Sequence, residues 1–207
     1  MAAVREAIGP GPLLRVDPNE VWDVPTAVER PRELERHGLD WVEQPVAAAN
    51  VSGLARVRRS VRTNIAVDQA VYTTGELRAV LEREAAGVIV LGHHETGGLW
   101  RLRQAAYLAE AHGLPINRHT CMESAISTVS ALLALAAIPN LTLGNQVMHQ
   151  LLGESLLVEP QLDLAGGRVP IPSCPGPGFE LDHDAVDRAH ERYRTRGHYP
   201  SVERAGA

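Results

Sequence analysis

Along most of the chain, short unbroken apolar runs alternate with longer amphipathic stretches. Leu13–Val16, Leu39–Val42, Asn64–Val67, Gly87–Leu91 and Leu114–Asn117 are such runs, each flanked by Gly, Pro, Asp, Asn or His. Runs of this length read as strands buried on both faces, which is the habit of a parallel sheet. Asn140–Leu143 reads as a sixth. Helical patterns lie between them. Pro25 opens one that reaches His37 before Gly38, with Pro31 inside it predicting a kink or a late start. Val51–Arg62 is arginine-rich and amphipathic, and Thr73–Glu84 opens with a Ser/Thr-x-x-acid start. Leu99–His112 is stopped by Gly113, and Glu123–Ala137 is apolar and rich in alanine.

Strand, loop, helix and loop together recur about every 25 residues, the length of one βα unit. About six such units predict an α/β protein with a parallel sheet and right-handed crossovers. Either a doubly wound sheet or part of a (β/α)8 barrel fits, but no Gly-rich dinucleotide fingerprint follows the first strand. Residues 1–12 look like the end of a helix broken by Gly9-Pro10-Gly11-Pro12, so a preceding segment is expected. The tail differs in kind. Leu162–Ile171 reads as a hairpin about Gly166-Gly167, Pro170–Pro177 is proline-rich, and Asp184–Arg196 is a polar helix. The expected organisation is therefore a partial barrel over 1–160, with the hairpin, proline-rich segment and helix of 161–207 packed on it.

Three strands stop on a carboxylate: Asp17, Glu43 and Asp68, at the same period. Pro45 cannot donate to a ladder and biases its neighbour to extended backbone, so the second strand ends there. The carboxyl ends of parallel strands are where α/β proteins do chemistry. Three converging oxygen ligands without cysteine suit a hard cation, Mg²⁺ ahead of Ca²⁺ or Mn²⁺. The plainer alternative is three unrelated capping or loop acids. Asn19 shares the loop of Asp17 and is placed to reach a ligand or a substrate oxygen, while Gln69 borders Asp68.

The same period leads on to Gly92 and His119. His119 is the general-base candidate, because imidazole titrates near neutral pH, though a histidine that merely caps a loop would look the same. A base of this kind needs an acidic partner on the neighbouring strand end, where Gly92 stands. His93, His94 and Glu95 offer a second metal reading, weakened because adjacent loop residues point in different directions. Gln146 and His149 follow the last strand within reach of a substrate, and Glu123 suits the first turn of its helix.

Composition narrows this picture. With 207 residues and 44% hydrophobic content the chain can bury a sizeable core. A net charge of −5 without a basic run gives no reason to expect nucleic acid or an anionic membrane. No apolar run is long enough to span a bilayer, and two isolated cysteines, Cys121 and Cys174, fit a reducing cytoplasm. All twenty basic residues are arginine.

Several motifs occur together in a characteristic order: Arg15-Val16-Asp17-Pro18-Asn19, Val42-Glu43-Gln44-Pro45, the Asp68 strand, Thr96-Gly97-Gly98-Leu99, His119, and Pro177-Gly178 through Asp182. Together they resemble the C-terminal barrel of the enolase superfamily, on the side of mandelate racemase, muconate lactonizing enzyme and glucarate dehydratase. The opening Arg5–Pro10, the Ile138–Thr142 segment and the Pro-Gly-rich tail look like acid-sugar dehydratases. This resemblance implies Mg²⁺ on Asp17, Glu43 and Asp68, substrate contact by Asn19 and a base at His119. It implies a lyase that removes the α-proton of an acid sugar, passes through an enediolate and loses water, or a racemase that starts from the same proton abstraction. Members of the family also carry a capping domain and two earlier strands, the second with a lysine. The chain is therefore expected either to self-associate or to join a chain that supplies those strands. A non-catalytic metal- or carboxylate-binding remnant, or a subunit completed by another polypeptide, is the alternative. A (β/α) phosphate-binding enzyme is disfavoured, because no Gly-rich loop follows the late strands.

Overall fold

A computed structural model describes residues 1–120, 122–142, 144–171, 173 and 175–197. Five parallel strands form one sheet in sequence order: β1 (Leu14–Val16), β2 (Leu39–Glu43), β3 (Asn64–Val67), β4 (Val88–Leu91) and β5 (Ile116–Arg118). The helices between them are α2 (Val24–Leu34), α3 (Val51–Ser60), α4 (Thr74–Glu82) and α5 (Leu99–Ala111), and α1 (Ala2–Ile8) precedes β1. The result is a curled half-barrel, the partial (β/α)8 architecture that the apolar rhythm predicts.

The expected sixth strand is reduced to a single parallel bridge, Leu141 to Ile116. Ile116 N–H donates to Asn140 C=O and Thr142 N–H returns to Ile116 C=O, so the chain still lies beside β5. Leu143, the predicted end of that strand, is outside the described residues.

Local chemistry explains the helix ends. Asp23 caps α2 by accepting from Thr26 N–H, and the helix starts at Val24, well before Pro31, which it buries in its interior. A 3-10 turn at Glu35–His37 then ends at Gly38, whose φ of 66° only glycine adopts at no steric cost. The predicted capping box on α4 forms: Glu76 N–H donates to Thr73 Oγ1, and Thr73 N–H donates to Glu76 Oε2.

The strands sort their side chains by parity. Val42, Ile65, Val67, Ile89, Leu91 and Ile116 join Leu54, Leu77, Val80 and Leu102 of the helices in the main core. Trp41, Ala66, Val88 and Val90 form a smaller cluster from the alternate positions. Continuing that alternation carries Glu43, Asp68 and residue 92 to the face of the smaller cluster. One face of the sheet holds the helices, and the other receives the polar strand ends.

The described residues of 1–120 and 134–146 pack as one compact unit, and those of 122–133 and 147–197 as a second. In the second, Ala125, Val129 and Leu157 are buried together, with Leu162, Phe179 and Leu181 against them. Its strands are β6 (Leu157–Glu159) and β7 (Glu180–Leu181), paired antiparallel, and α7 (His183–Arg196) is capped by Asp182. The helix α6 (Ala125–Leu135) starts two residues later than the sequence suggests. The expected hairpin at Leu162–Ile171 is not formed. Ala165–Gly167 makes a 3-10 turn instead, with Gly166 and Gly167 at φ of 63° and 71°. Pro170 has no N–H to donate to such a ladder, and Leu162 is committed to the apolar cluster. Cys121 and Cys174 lie outside the described residues. Among the described residues no helix is long and apolar enough to cross a membrane.

One side chain ties the strand ends together. Gln44 is fully buried at φ 33°. Its Oε1 accepts from Asp68 N–H and Ala70 N–H, and its Nε2 donates to Val46 C=O. Replacing it strands three buried backbone groups, each worth about 1–3 kcal/mol unpaired but partly relieved by water. Gln44→Ala is expected to lower unfolding free energy by about 2–4 kcal/mol in urea denaturation.

Candidate metal centre

The rim is built from the residues that follow each strand. Asp17 follows β1, Glu43 ends β2, Asp68 follows β3, Gly92 follows β4 and His119 follows β5. Val16 pairs with Val42, which sets Asp17 beside Glu43, and Leu91 pairs with Arg118, which sets Gly92 beside His119.

Single oxygen or nitrogen atoms of Glu43, Asp68 and His119 lie within 4.8 Å of one another, a spacing that a metal ion spans. His119 Nδ1 is 3.5 Å from Asp68 Oδ2, and its Nε2 is 3.7 Å from Glu95 Oε1. Asp68 Oδ1 is buried and accepts no hydrogen bond from the described residues. Glu43 Oε2 accepts from Trp41 Nε1–H at 3.3 Å, and the guanidinium of Arg15 lies 3.4 Å from the centre of the Trp41 ring. Arg15 itself is paired to Asp40 and donates to Gly144 C=O.

Asp17 is clasped by Asn19. The Asn19 backbone N–H donates to Oδ1 and its side chain to Oδ2, both at 2.8 Å. Gln69 Nε2 donates in turn to Asn19 Oδ1. This links the Asp17 loop to the Asp68 loop through two amides, at Asn19 and Gln69, that sequence reasoning had treated singly.

Electrostatics reflect the crowding. Burial, then the charge of Asp17 and more weakly that of Asp68, push Glu43 up to about 7, against the Trp41 hydrogen bond and His119. Burial, then Glu95, Asp17 and Glu20, push Asp68 up to about 7. Asp17 is also raised, chiefly by burial, with the Asn19 hydrogen bonds opposing. Buried carboxylates that repel one another and keep an unpaired oxygen are matched to a bound cation, which would reverse each of these effects. The residues present therefore fit a hard cation such as Mg²⁺: Glu43 and Asp68 could donate oxygens to it, and Asp17 stands beside Glu43 on the same rim.

Glu95 Oε1 lies 3.7 Å from His119 Nε2, and the His93 and His94 rings lie 4.1 Å apart, tilted by 39°. Burial, then His94 and Arg118, hold His93 down to about 4, so it is neutral at physiological pH. Gln146 braces the end of β5: its N–H donates to Arg118 C=O, and its own carbonyl accepts from the Arg118 guanidinium. His149 bonds to Leu162 C=O, and Glu123, which precedes α6, accepts from Thr128 Oγ1. The sequence does not disclose that Gln44 braces the Asp68 backbone or that Glu95 meets His119. A polar residue inside the buried Val42–Val46 turn was the signal for Gln44; Glu95 had none, because its role depends on how a loop folds back.

The family described as enolase C-terminal domain-like matches residues 1–185. The chain belongs to the enolase superfamily. Within this superfamily it is 35% identical over 175 residues to a chloromuconate cycloisomerase of Cupriavidus pinatubonensis, covering 84% of this chain and 47% of that protein. It is 40% identical over 139 residues to the o-succinylbenzoate synthase of Thermobifida fusca, covering 67% of this chain and 42% of that protein. A crystal structure of an enolase from Thermobispora bispora, complexed with magnesium and formate, superposes with a TM-score of 0.87 at 34% identity. That match covers 95% of this chain and 46% of the other. The chain thus spans about half the length of the relatives it matches. These curated relatives are cycloisomerases and a synthase, so the superfamily assignment stands and the glucarate dehydratase likeness is not reinforced by them.

Glu43 and Asp68 bind protons more tightly when folded than at their ordinary values of 4.5 and 3.8. The stability that this contributes is complete below the ordinary carboxylate range and is lost as pH rises through about 7. The Tm of metal-free protein is expected to fall from about pH 5 to about pH 8, and Glu43→Gln to flatten that fall. Mg²⁺ should raise Tm more at the alkaline end, where it meets carboxylates already ionised.

Proposed function

We propose that this chain carries the metal-binding and proton-transfer rim of an enzyme that abstracts the α-proton of a carboxylate substrate. The observation that carries this reading is the convergence of Glu43, Asp68 and His119, with the buried and unpaired Asp68 Oδ1 among them. Asp17, Glu43 and Asp68 would hold Mg²⁺, and Asn19 would fix Asp17 and contact the substrate. Bound there, Mg²⁺ would supply positive charge to offset that of a substrate carboxylate and of an enediolate.

His119 takes the α-proton: the C–H bond breaks, an N–H bond forms, and the electron pair passes into the enediolate. The chain holds no lysine, and His119 is the imidazole that follows β5 on this rim. The finer reading is loss of a β-hydroxyl from an acid sugar, supported by the dehydratase-like motifs. Cycloisomerisation of an unsaturated dicarboxylate is the second reading, favoured by the names of the curated relatives. The two isolated cysteines favour a cytoplasmic setting.

Among the described residues β1 pairs only with β2, leaving its other edge open. An open edge of a parallel sheet is prone to association. We propose that this edge is covered in the working form, by a second copy of the chain or by strands supplied from outside residues 1–207.

Calorimetric titration with Mg²⁺ should give saturable binding that Glu43→Gln abolishes. In D₂O with Mg²⁺, NMR should detect deuterium entering the α-position of an acid sugar such as tartrate or, on the second reading, the α-position of the lactone formed from a muconate. His119→Gln should slow that exchange by about 10²–10⁴ while metal binding persists. Saturable Mg²⁺ binding without exchange, in the chain alone and with any strand-supplying partner, would instead support the non-catalytic reading.

A further inference from the structure

Residue 92 has no side chain, yet the space beside it at the end of β4 is filled. A Cβ built on Gly92 would stand 1.9 Å from Glu95 Oε2 and 3.3 Å from His119 Cδ2. The carboxylate of Glu95 therefore occupies the volume that a side chain at position 92 would claim. The loop is folded to deliver it. Thr96 donates both its N–H and its hydroxyl to Gly92 C=O, at 3.0 and 2.8 Å, and Gly98 N–H donates to His93 C=O at 2.7 Å. Gly97 and Gly98, at φ of 84° and 113°, permit that tight return. The chain doubles back over its own strand end and aims Glu95 at the neighbouring histidine.

We propose that Glu95 is the positioning residue of His119: it holds the Nε2–H and leaves Nδ1 as the atom that takes the proton. The inference rests on the proton-abstraction reading above and assigns the ring atoms within it. A neutral imidazole carries one proton, and the partner at one nitrogen decides which nitrogen keeps the lone pair. His119 lies between two carboxylates, with Asp68 at Nδ1 and Glu95 at Nε2. In the reading above Asp68 serves the metal, and Glu95, the carboxylate at Nε2, is the one placed to orient the ring. The 3.7 Å separation is an ion-pair distance, and catalytic contacts of this kind tighten when substrate binds. Gly92 and Glu95 thus work as a pair: the glycine vacates the strand end so that an acid three residues on can take its place.

The test is the tautomer of His119, read by long-range ¹H–¹⁵N correlation on the full chain, labelled with ¹⁵N-histidine and held in Mg²⁺. His119→Gln assigns the signal. Wild type is expected to show the Nε2–H form, and Glu95→Ala to lose that preference. Gly92→Asp combined with Glu95→Ala should restore it by returning a carboxylate to the vacated space. Gly92→Leu combined with Glu95→Ala fills the same space without an oxygen and should not. Gly92→Ala, which leaves Glu95 in the chain but claims its volume, should lose the preference as Glu95→Ala does. An unchanged tautomer in both Glu95→Ala and Gly92→Ala, or equal rescue by leucine and aspartate, would overturn the proposal. Because the tautomer is read without substrate, its failure leaves deuterium exchange standing, and a failure of exchange with the tautomer intact condemns only the catalytic reading.

Discussion

Like charges forced together out of water set the terms for everything at this rim. Asp17, Glu43 and Asp68 come from three adjacent strand ends, and burial raises the proton affinity of each. Such an arrangement persists only if the backbone over-determines it, since the carboxylates themselves would rather separate or neutralise. The parallel ladder does most of this: Val16 to Val42, Glu43 to Ala66 and Val67 to Ile89 lock successive ends in register. Gln44 adds a covalently neighbouring brace, bridging from the turn after β2 to the backbone of Asp68 and Ala70.

Around this repulsive centre the neutral and cationic groups are arranged as fixed partners. Asn19 holds both oxygens of Asp17, Trp41 donates to Glu43, and His119 faces Asp68. Arg15 does not reach into the centre but stacks on Trp41 and pairs with Asp40, so it stiffens the ring that supports Glu43. Glu43 and Asp68 are thereby presented with few competing donors, a state that favours a hard cation over a protein counter-charge.

The loop after β4 places its carboxylate by a different route from the strand ends. A strand-end side chain is placed by the ladder alone. A carboxylate at Glu95 needs the Thr96 and Gly98 hydrogen bonds and two glycines in left-handed or related backbone to arrive at the same volume. Such a placement depends on the loop's stability, and the loop's hydrogen bonds close on β4 itself, the strand whose end it covers.

Much of this was legible in the chain. The alternation of short apolar runs with amphipathic stretches specifies a parallel βα sheet, because only strands buried on both faces read as unbroken apolar segments. The 25-residue rhythm also places Asp17, Glu43, Asp68 and His119 on one rim, since each strand exits at the same end of such a sheet. Local chemistry sufficed for the Thr73 capping box and for Gly38 and Gly113 as helix stops. Tertiary structure alone decided the rest. Pairing of β6 with β7 in place of a hairpin depended on which apolar residues found a common cluster, a contact between segments about twenty residues apart. The partners of Gln44 and Glu95 were likewise invisible, because hydrogen bonds between neighbouring strand ends and through a folded loop join residues whose separation in sequence carries no periodic signal. Sequence determines where chemistry-bearing residues can stand; only the folded backbone decides which of them face one another.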